Sequence, residues 1–155
     1  MLEIRFYHLM TGTPTQALFQ ILSKAVSQSR RTVVRTPDHP SCERLTQDLW
    51  TISVDRFLPH GNAKDGDPML QPVWITSEED NPNDARILIL MEGARAPAIP
   101  EGFELMCTIF DGQNEESVHA ARTQWKTYKD TYAANESVSL TYWQQTPTGE
   151  WAKKA

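Results

Sequence analysis

The chain has 155 residues, of which 20 are acidic and 15 basic, so its net charge is −5. This length and the 39% hydrophobic content fit one globular domain with its own core. The acidic balance disfavours direct binding of a nucleic-acid backbone across the whole surface. No apolar run approaches a membrane span, and residues 1–7 lack the pattern of a secretory signal. We therefore expect a cytoplasmic protein that contacts no membrane.

Four segments in the first third of the chain have the periodicity of regular secondary structure. They predict, in order, a strand (2–9), a helix (14–29), a strand (31–36) and a helix that ends at Trp50. Thr13 followed by Pro14 is typical of a helix start, because threonine caps the first N–H groups and proline fits the first turn. Either Asp38 or Ser41 is expected to cap the second helix.

A loop and three further strands are predicted next. Residues 57–68 are rich in Gly, Pro, Asn and Asp, which is typical of a long surface loop. Strands are expected at 73–76, 86–91 and 103–110. The second of these is apolar enough after Arg86 to lie in a sheet that is covered on both faces.

The clearest helix runs from residue 115 to about residue 134, because no Pro or Gly interrupts it. Residues 138–143 show a weak strand pattern, and a polar tail follows. The order of elements predicts an α/β fold, a single-domain, Rossmann-like sheet that is mixed or parallel and flanked by helices. We expect this domain to occupy residues 1–136, with 137–155 as a C-terminal extension.

Motifs for nucleotide or metal chemistry are incomplete. The turn after the first strand has one glycine where a dinucleotide fingerprint needs three. Residues 61–66 have the glycine spacing of a P-loop, but Asp67-Pro68 stands where Lys-Ser/Thr is required. His60 and the acidic residues near it match no metal-ligand spacing, so neither a metal nor a cofactor is expected. An enzyme that uses a nucleotide or small molecule on a degenerate Rossmann-like fold stays open as the alternative, with residues 61–67 as its lid.

The last predicted helix carries an apolar stripe beside a row of cations. The stripe recurs at steps of three and four residues and consists of Val118, Ala121, Trp125, Tyr128 and Tyr132. Arg122, Lys126 and Lys129 follow similar steps and form what we call the cationic ridge. One interpretation is a core stripe flanked by a solvated charged face. The other is a groove for an acidic or carboxylate-ended peptide, with Arg122 as anchor and Trp125 as aromatic wall.

A second group of aromatic residues lies around the end of the second helix. Trp50 and Phe57 flank a short connection, and Pro59 follows in the loop. Trp and Phe bury large apolar areas, so this group is consistent with a partner-binding patch. It is equally consistent with core packing under the loop, whereas Trp74, in a predicted strand, is assigned to the core.

These residues resemble a known family, the chi subunit of bacterial DNA polymerase III. The motifs that carry the resemblance are Leu49-Trp50, Phe57-Leu58-Pro59-His60, the strand 73–75, and Ala121-Arg122 with Trp125-Lys126 and Tyr128-Lys129. The resemblance covers roughly residues 1–134. Two positions depart from the family pattern, since Trp125 stands in place of a usual tyrosine and Lys129 in place of a usual arginine.

The resemblance implies a Rossmann-like accessory subunit of the polymerase holoenzyme with no catalytic site of its own and no cofactor. Chi proteins bind the acidic, Phe-ended C-terminal tail of single-stranded DNA-binding protein. Through another surface they pair with the psi subunit of the clamp loader, and a helicase is a second possible partner there. The implied tail-binding residues are Arg122, Trp125, Lys126 and Lys129. The implied partner surface consists of Trp50, Phe57 and Pro59, and contact with DNA is expected only through the partners.

Overall fold

The computed structural model describes residues 1–52, 58–97 and 102–155. Within these ranges the chain forms strands and α-helices in an order that confirms the predicted one. They are β1 (Leu2–Leu9), α1 (Pro14–Ser27), β2 (Thr32–Arg35), α2 (His39–Thr51), β3 (Val73–Thr76), β4 (Ile87–Leu90), β5 (Leu105–Asp111), α3 (Glu115–Thr131), β6 (Val138–Gln145) and β7 (Trp151–Lys153). A short 3-10 helix over Pro68–Leu70 precedes β3.

The strands of the described residues form one seven-stranded sheet in the order β3-β2-β4-β5-β1-β6-β7. Neighbouring strands run parallel, except that β7 runs antiparallel to β6. The sheet is therefore mixed, and the predicted α/β class is confirmed. β1 lies between β5 and β6, and its register places Phe6 beside Thr108 on one neighbour and Tyr142 on the other.

Side chains of the central strands alternate between two cores, one on each face of the sheet. In β1, Tyr7 and Leu9 belong to the core that α1 and α2 cover. Ile4 and Phe6 are fully buried in the other core, which α3 covers. The two helices that carry the candidate surfaces, α2 and α3, therefore lie on opposite faces of the sheet.

Each α-helix begins at a capping side chain. Thr13 and Gln16 form a reciprocal capping box at α1, as the Thr-Pro start predicts. At α2 the cap is Asp38 and not Ser41, since the Asp38 carboxylate accepts the Ser41 N–H at 2.8 Å. At α3 the Asn114 side chain accepts two backbone N–H groups of the first turn. No helix in the described ranges is both long and apolar enough to cross a membrane.

The C-terminal segment differs most from the sequence-based expectation, because a strand, β7, follows where a polar tail is predicted. The turn between β6 and β7 is closed by the Thr146 N–H, which donates to the Glu150 carbonyl at 2.7 Å, and Gly149 adopts a φ of +92° there. The returning chain brings the Trp151 ring to 4.9 Å from the Tyr7 ring, in an edge-to-face arrangement. Three residues are too few to show a clear period in the sequence, so this strand could not be predicted locally and depends on pairing with β6. The division at residue 136 stays a prediction.

Replacement of Trp151 by alanine tests whether this contact anchors β7. We expect Trp151→Ala to lower the free energy of unfolding by about 1–2 kcal/mol, because the partly buried ring loses its packing against Tyr7. Urea unfolding followed by circular dichroism measures this change. Leu70→Ala is the control, since Leu70 is 77% exposed and should have almost no effect. An unchanged midpoint for Trp151→Ala would contradict the packing role.

Candidate functional site

Helix α3 presents three cations to solvent. Arg122, Lys126 and Lys129, the cationic ridge, are all exposed. Within residues 1–52, 58–97 and 102–155, no carboxylate lies within ion-pairing distance of the nitrogens of these side chains. The ridge therefore keeps an unneutralised positive charge that attracts anions, although the chain as a whole carries −5.

Trp125 lies beside the ridge and reaches into the core. Its ring meets Phe6 edge-to-face with 5.4 Å between centroids and meets Tyr142 at the same distance and a right angle. The side chain is only half-buried, so part of the indole faces outward. The predicted pairing of exposed cations with an aromatic wall is thus present on one side of α3.

Tyr128 closes the inner side of this aromatic cluster. Its ring lies 6.0 Å from that of Phe6, and its hydroxyl accepts a hydrogen bond from the Gln124 amide at 2.9 Å. Burial raises the pKa of Tyr128 to about 12. The hydroxyl is therefore neutral at physiological pH, and the charges at this site come from the ridge.

A polar pair, His8 on β1 and Tyr142 on β6, lies at the edge of the cluster. The Tyr142 hydroxyl and His8 Nδ1 are 2.7 Å apart and share a hydrogen bond. Burial lowers the pKa of His8, and the positive charge of Arg122 lowers it further. Burial raises the pKa of Tyr142, and the same charge opposes that change. The field of Arg122 therefore reaches both members of the pair.

Gly112 fixes the position of the His8 ring. A Cβ at residue 112 would lie 2.2 Å from His8 Cδ2 and Nε2 and from the Leu9 carbonyl oxygen. The Gly112 N–H donates a hydrogen bond to that same carbonyl at 2.7 Å, which holds the backbone close to the end of β1. Only glycine fits here, and the connection from β5 to α3 passes directly over the imidazole.

The cations and Trp125 are predicted from the sequence as site residues, whereas His8 and Tyr142 are not. His8 has no partner at a recognisable spacing, and Tyr142 lies in the C-terminal extension. The alternation of apolar and polar residues in β6 is the one sequence pattern that points to Tyr142, since it places Leu140 and Tyr142 on the same face of the strand. The parallel register with β1, which no periodicity specifies, brings Tyr142 beside Phe6.

The second candidate surface lies at the end of α2. Trp50 is 41% exposed, so the core interpretation does not hold for this ring. One face of the indole packs on the buried His60 ring, with 4.1 Å between the two centroids. Pro59 is half-buried next to His60, and Phe57 lies outside the described residues. Trp50 and Pro59 are thus held close to one another by way of His60.

Residues 58 and 60–62 are buried and residue 59 is half-buried, which corrects the prediction of a surface loop for this part of 57–68. The His60 ring nitrogens lie 2.7 Å and 3.0 Å from the carbonyl oxygens of Leu58 and Thr46. Gly61 exchanges backbone hydrogen bonds with β3, donating to Val73 and accepting from Ile75. Composition predicts the loop but not this attachment to the sheet edge, which fixes the base on which Trp50 rests.

A separate groove of about 830 Å³ lies on the other side of α3. Its lining includes Leu90, Thr108 and Phe110 from the sheet and Ala120 and Gln124 from the helix. Among the described residues that line it there is none of the ridge cations. The groove and the cationic ridge are thus two distinct surfaces of the same helix.

Comparison with known proteins adds a family to this geometry. The family model for the DNA polymerase III chi subunit, HolC, matches residues 1–135. A curated protein of Rickettsia prowazekii (strain Madrid E), named probable DNA polymerase III subunit chi, is 33% identical over 91 residues. That alignment covers 59% of this chain and 55% of the relative, about half of its length. The family match includes the ridge, Trp125 and the Trp50 surface, and it ends before β6.

The lowered pKa of His8 makes the free energy of unfolding depend on pH through this residue. Burial disfavours the charged His8 ring in the folded protein, whereas in the unfolded chain His8 has its ordinary pKa of 6.5. Below pH 6.5 the unfolded chain therefore binds a proton more readily than the folded protein, and the free energy of unfolding falls as the pH falls. Urea unfolding at pH 7.5 and pH 5.5 measures the loss. We expect a smaller loss in His8→Gln than in the parent, because glutamine takes up no proton in this range. Equal losses in the parent and His8→Gln would contradict this account.

Proposed function

Because the chain belongs to the DNA polymerase III chi subunit family, HolC, we propose that it is a non-catalytic accessory subunit of the replicative DNA polymerase. In this role it tethers the clamp loader to single-stranded DNA-binding protein by holding the acidic C-terminal tail of that protein. The observation that carries the proposal is the cationic ridge beside the half-buried Trp125 on α3, which has no carboxylate partner among the residues that the structure describes.

Each part of an acidic, Phe-ended tail has a complementary group on α3. Arg122 offers a planar fork that binds a carboxylate through two parallel hydrogen bonds. Lys126 and Lys129 extend the positive charge along the helix towards the acidic residues of the tail. The outward part of Trp125 offers an aromatic wall for the terminal Phe ring.

The expected strength suits a reversible tether. Burial of one Phe side chain contributes about 2 kcal/mol, and a charge-assisted pair with the carboxylate contributes roughly as much. These two contacts total about 4 kcal/mol before the entropic cost of association is subtracted, so we expect a complex that dissociates readily. Since both partners are acidic overall, the attraction depends on local cations and weakens as salt is added.

The proposal assigns the Trp50 surface, Trp50, Phe57 and Pro59, to a second partner, the psi subunit of the clamp loader or a helicase. The exposed part of the Trp50 ring supports this assignment, because large exposed aromatics are typical of interface hot spots. Helices α2 and α3 lie on opposite faces of the sheet. The two partners can therefore bind at the same time, as a tether requires.

Substitutions on the ridge test the tail-binding site. We expect Arg122→Ala and Lys126→Glu each to weaken binding of a synthetic acidic peptide with a C-terminal Phe by about tenfold or more, because a charge-assisted contact is lost. Isothermal titration calorimetry measures the affinity, and the exposed positions predict unchanged unfolding midpoints. Lys64→Glu is the charge-matched control, since Lys64 is exposed in the loop that precedes β3, away from α3. Unchanged affinity in both ridge variants would remove the site from α3.

Thermal unfolding separates this function from that of a nucleotide-dependent enzyme. A ligand that binds the folded state raises the unfolding temperature. The proposal expects stabilisation by the acidic peptide and none by nucleotides with Mg²⁺. Stabilisation by a nucleotide alone would favour the enzyme.

A substitution at Trp50 tests the second surface. We expect Trp50→Ala to lose the psi subunit or helicase that the parent protein retains from native lysate, because the variant removes the exposed ring at the end of α2. Mass spectrometry of the retained proteins measures this, and retention of single-stranded DNA-binding protein serves as the internal control. Retention of the psi subunit or helicase in undiminished amount by Trp50→Ala would contradict the assignment.

A further inference from the structure

We propose that β6 completes the tail-binding site, with the Tyr142 hydroxyl donating a hydrogen bond to the same C-terminal carboxylate that Arg122 binds. His8 acts behind it as a positioning residue. The inference rests on the proposed function, since the ligand is the carboxylate end of an acidic peptide. It adds a residue from beyond the part of the chain that matches the family, which ends at residue 135.

The position of Tyr142 follows from strand register and ring packing. Parallel pairing with β1 places Tyr142 beside Phe6, on the face that α3 covers. Its ring stacks nearly parallel to Phe6 at 6.2 Å and stands at a right angle to Trp125 at 5.4 Å. Tyr142 is half-buried, so it borders the outward part of Trp125 where the terminal Phe of the peptide is proposed to bind.

The charge of Arg122 links the cation of the ridge to this pair. Arg122 lowers the pKa of His8 beyond the effect of burial and opposes the rise that burial causes in the pKa of Tyr142. The geometry agrees, because Arg122 precedes Trp125 by three residues on the same side of α3, and the Trp125 ring contacts that of Tyr142. An anion bound by Arg122 on this side of the helix would meet a hydroxyl as well as a cation.

The hydrogen bond between Tyr142 and His8 decides whether that hydroxyl can donate. One hydrogen lies between the Tyr142 oxygen and His8 Nδ1, which are 2.7 Å apart. If His8 carries its proton on Nδ1, the imidazole donates to the tyrosine oxygen, and the phenolic hydrogen is available for a carboxylate. Binding of the carboxylate thus selects the Nδ1–H tautomer of His8.

The surroundings of His8 hold the ring in place for this role. The backbone at Gly112 passes over its Cδ2–Nε2 edge, with no room for a side chain. The Phe110 ring lies 4.9 Å away on one neighbouring strand, and Tyr142 lies on the other. The imidazole therefore has a fixed partner, and Tyr142 has a fixed direction for its hydroxyl.

Calorimetric titration of two peptides tests the inference. Both are synthetic, with several aspartates and a C-terminal Phe; one ends in a free carboxylate and the other in an amide. We expect Tyr142→Phe to weaken binding of the carboxylate peptide by about tenfold, as the loss of a hydrogen bond to a charged group predicts, and to leave the weaker binding of the amide peptide unchanged. Tyr7→Phe is the matched control, because Tyr7 lies on the opposite face of β1 and its hydroxyl bonds only Arg5 among the described residues.

The outcomes separate this inference from the proposed function. If the parent protein binds neither peptide, the proposed function and the inference both fail. If the parent protein binds the carboxylate peptide and Tyr142→Phe binds it equally well, or loses the same factor for both peptides, only the role of Tyr142 is overturned. A measurement on the parent protein covers the case in which the variant does not fold: nitrogen NMR of His8 in the complex at pH 7.5 should show a proton on Nδ1, and a proton on Nε2 alone would overturn the inference.

Discussion

Packing around Phe6 holds the proposed site together. This ring is fully buried at the centre of β1, and three aromatic rings meet it, Trp125 and Tyr128 from α3 and Tyr142 from β6. Elements that come from different parts of the chain are thereby fixed relative to one another, because each ring removes a large apolar area from water. Packing of Trp125 and Tyr128 against Phe6 holds α3 on the sheet, and this fixes where its exposed cations lie. A change at Phe6 would displace the ridge, the Trp125 wall and the Tyr142 hydroxyl together.

The sheet also supports the two candidate surfaces separately. Alternation along the strands builds a separate core on each face, so α2 with Trp50 and α3 with Arg122 are supported independently. Net charge gives little guidance to binding here, because the nearest charges dominate in solutions of physiological ionic strength. Arg122, Lys126 and Lys129 have no carboxylate partner in the described ranges, which leaves a positive surface on a molecule of net −5.

The sequence predicts most of the fold because its elements have strong local signals. The alternation of residues 2–9, the Thr13-Pro14 start and the uninterrupted run of α3 each identify an element by itself. It predicts only part of the proposed site, namely the ridge and Trp125, which lie on one helix and share its period. Tyr142 joins them through strand register, and Gly112 matters through a close approach to His8; neither is a local property. The strand β7 was missed for the same reason, as its order depends on pairing with β6 and on the contact of Trp151 with Tyr7.

We propose above all that the C-terminal end of an acidic peptide binds to α3 beside Trp125. Titration of such a peptide into the labelled protein, followed by the indole N–H resonances, tests it most directly. We expect the Trp125 indole resonance and the backbone amides of α3 near Arg122 to shift during the titration, while the Trp50 indole resonance stays unchanged. Shifts confined to Trp50, or to the groove lined by Thr108 and Ala120 on the other side of α3, would contradict it.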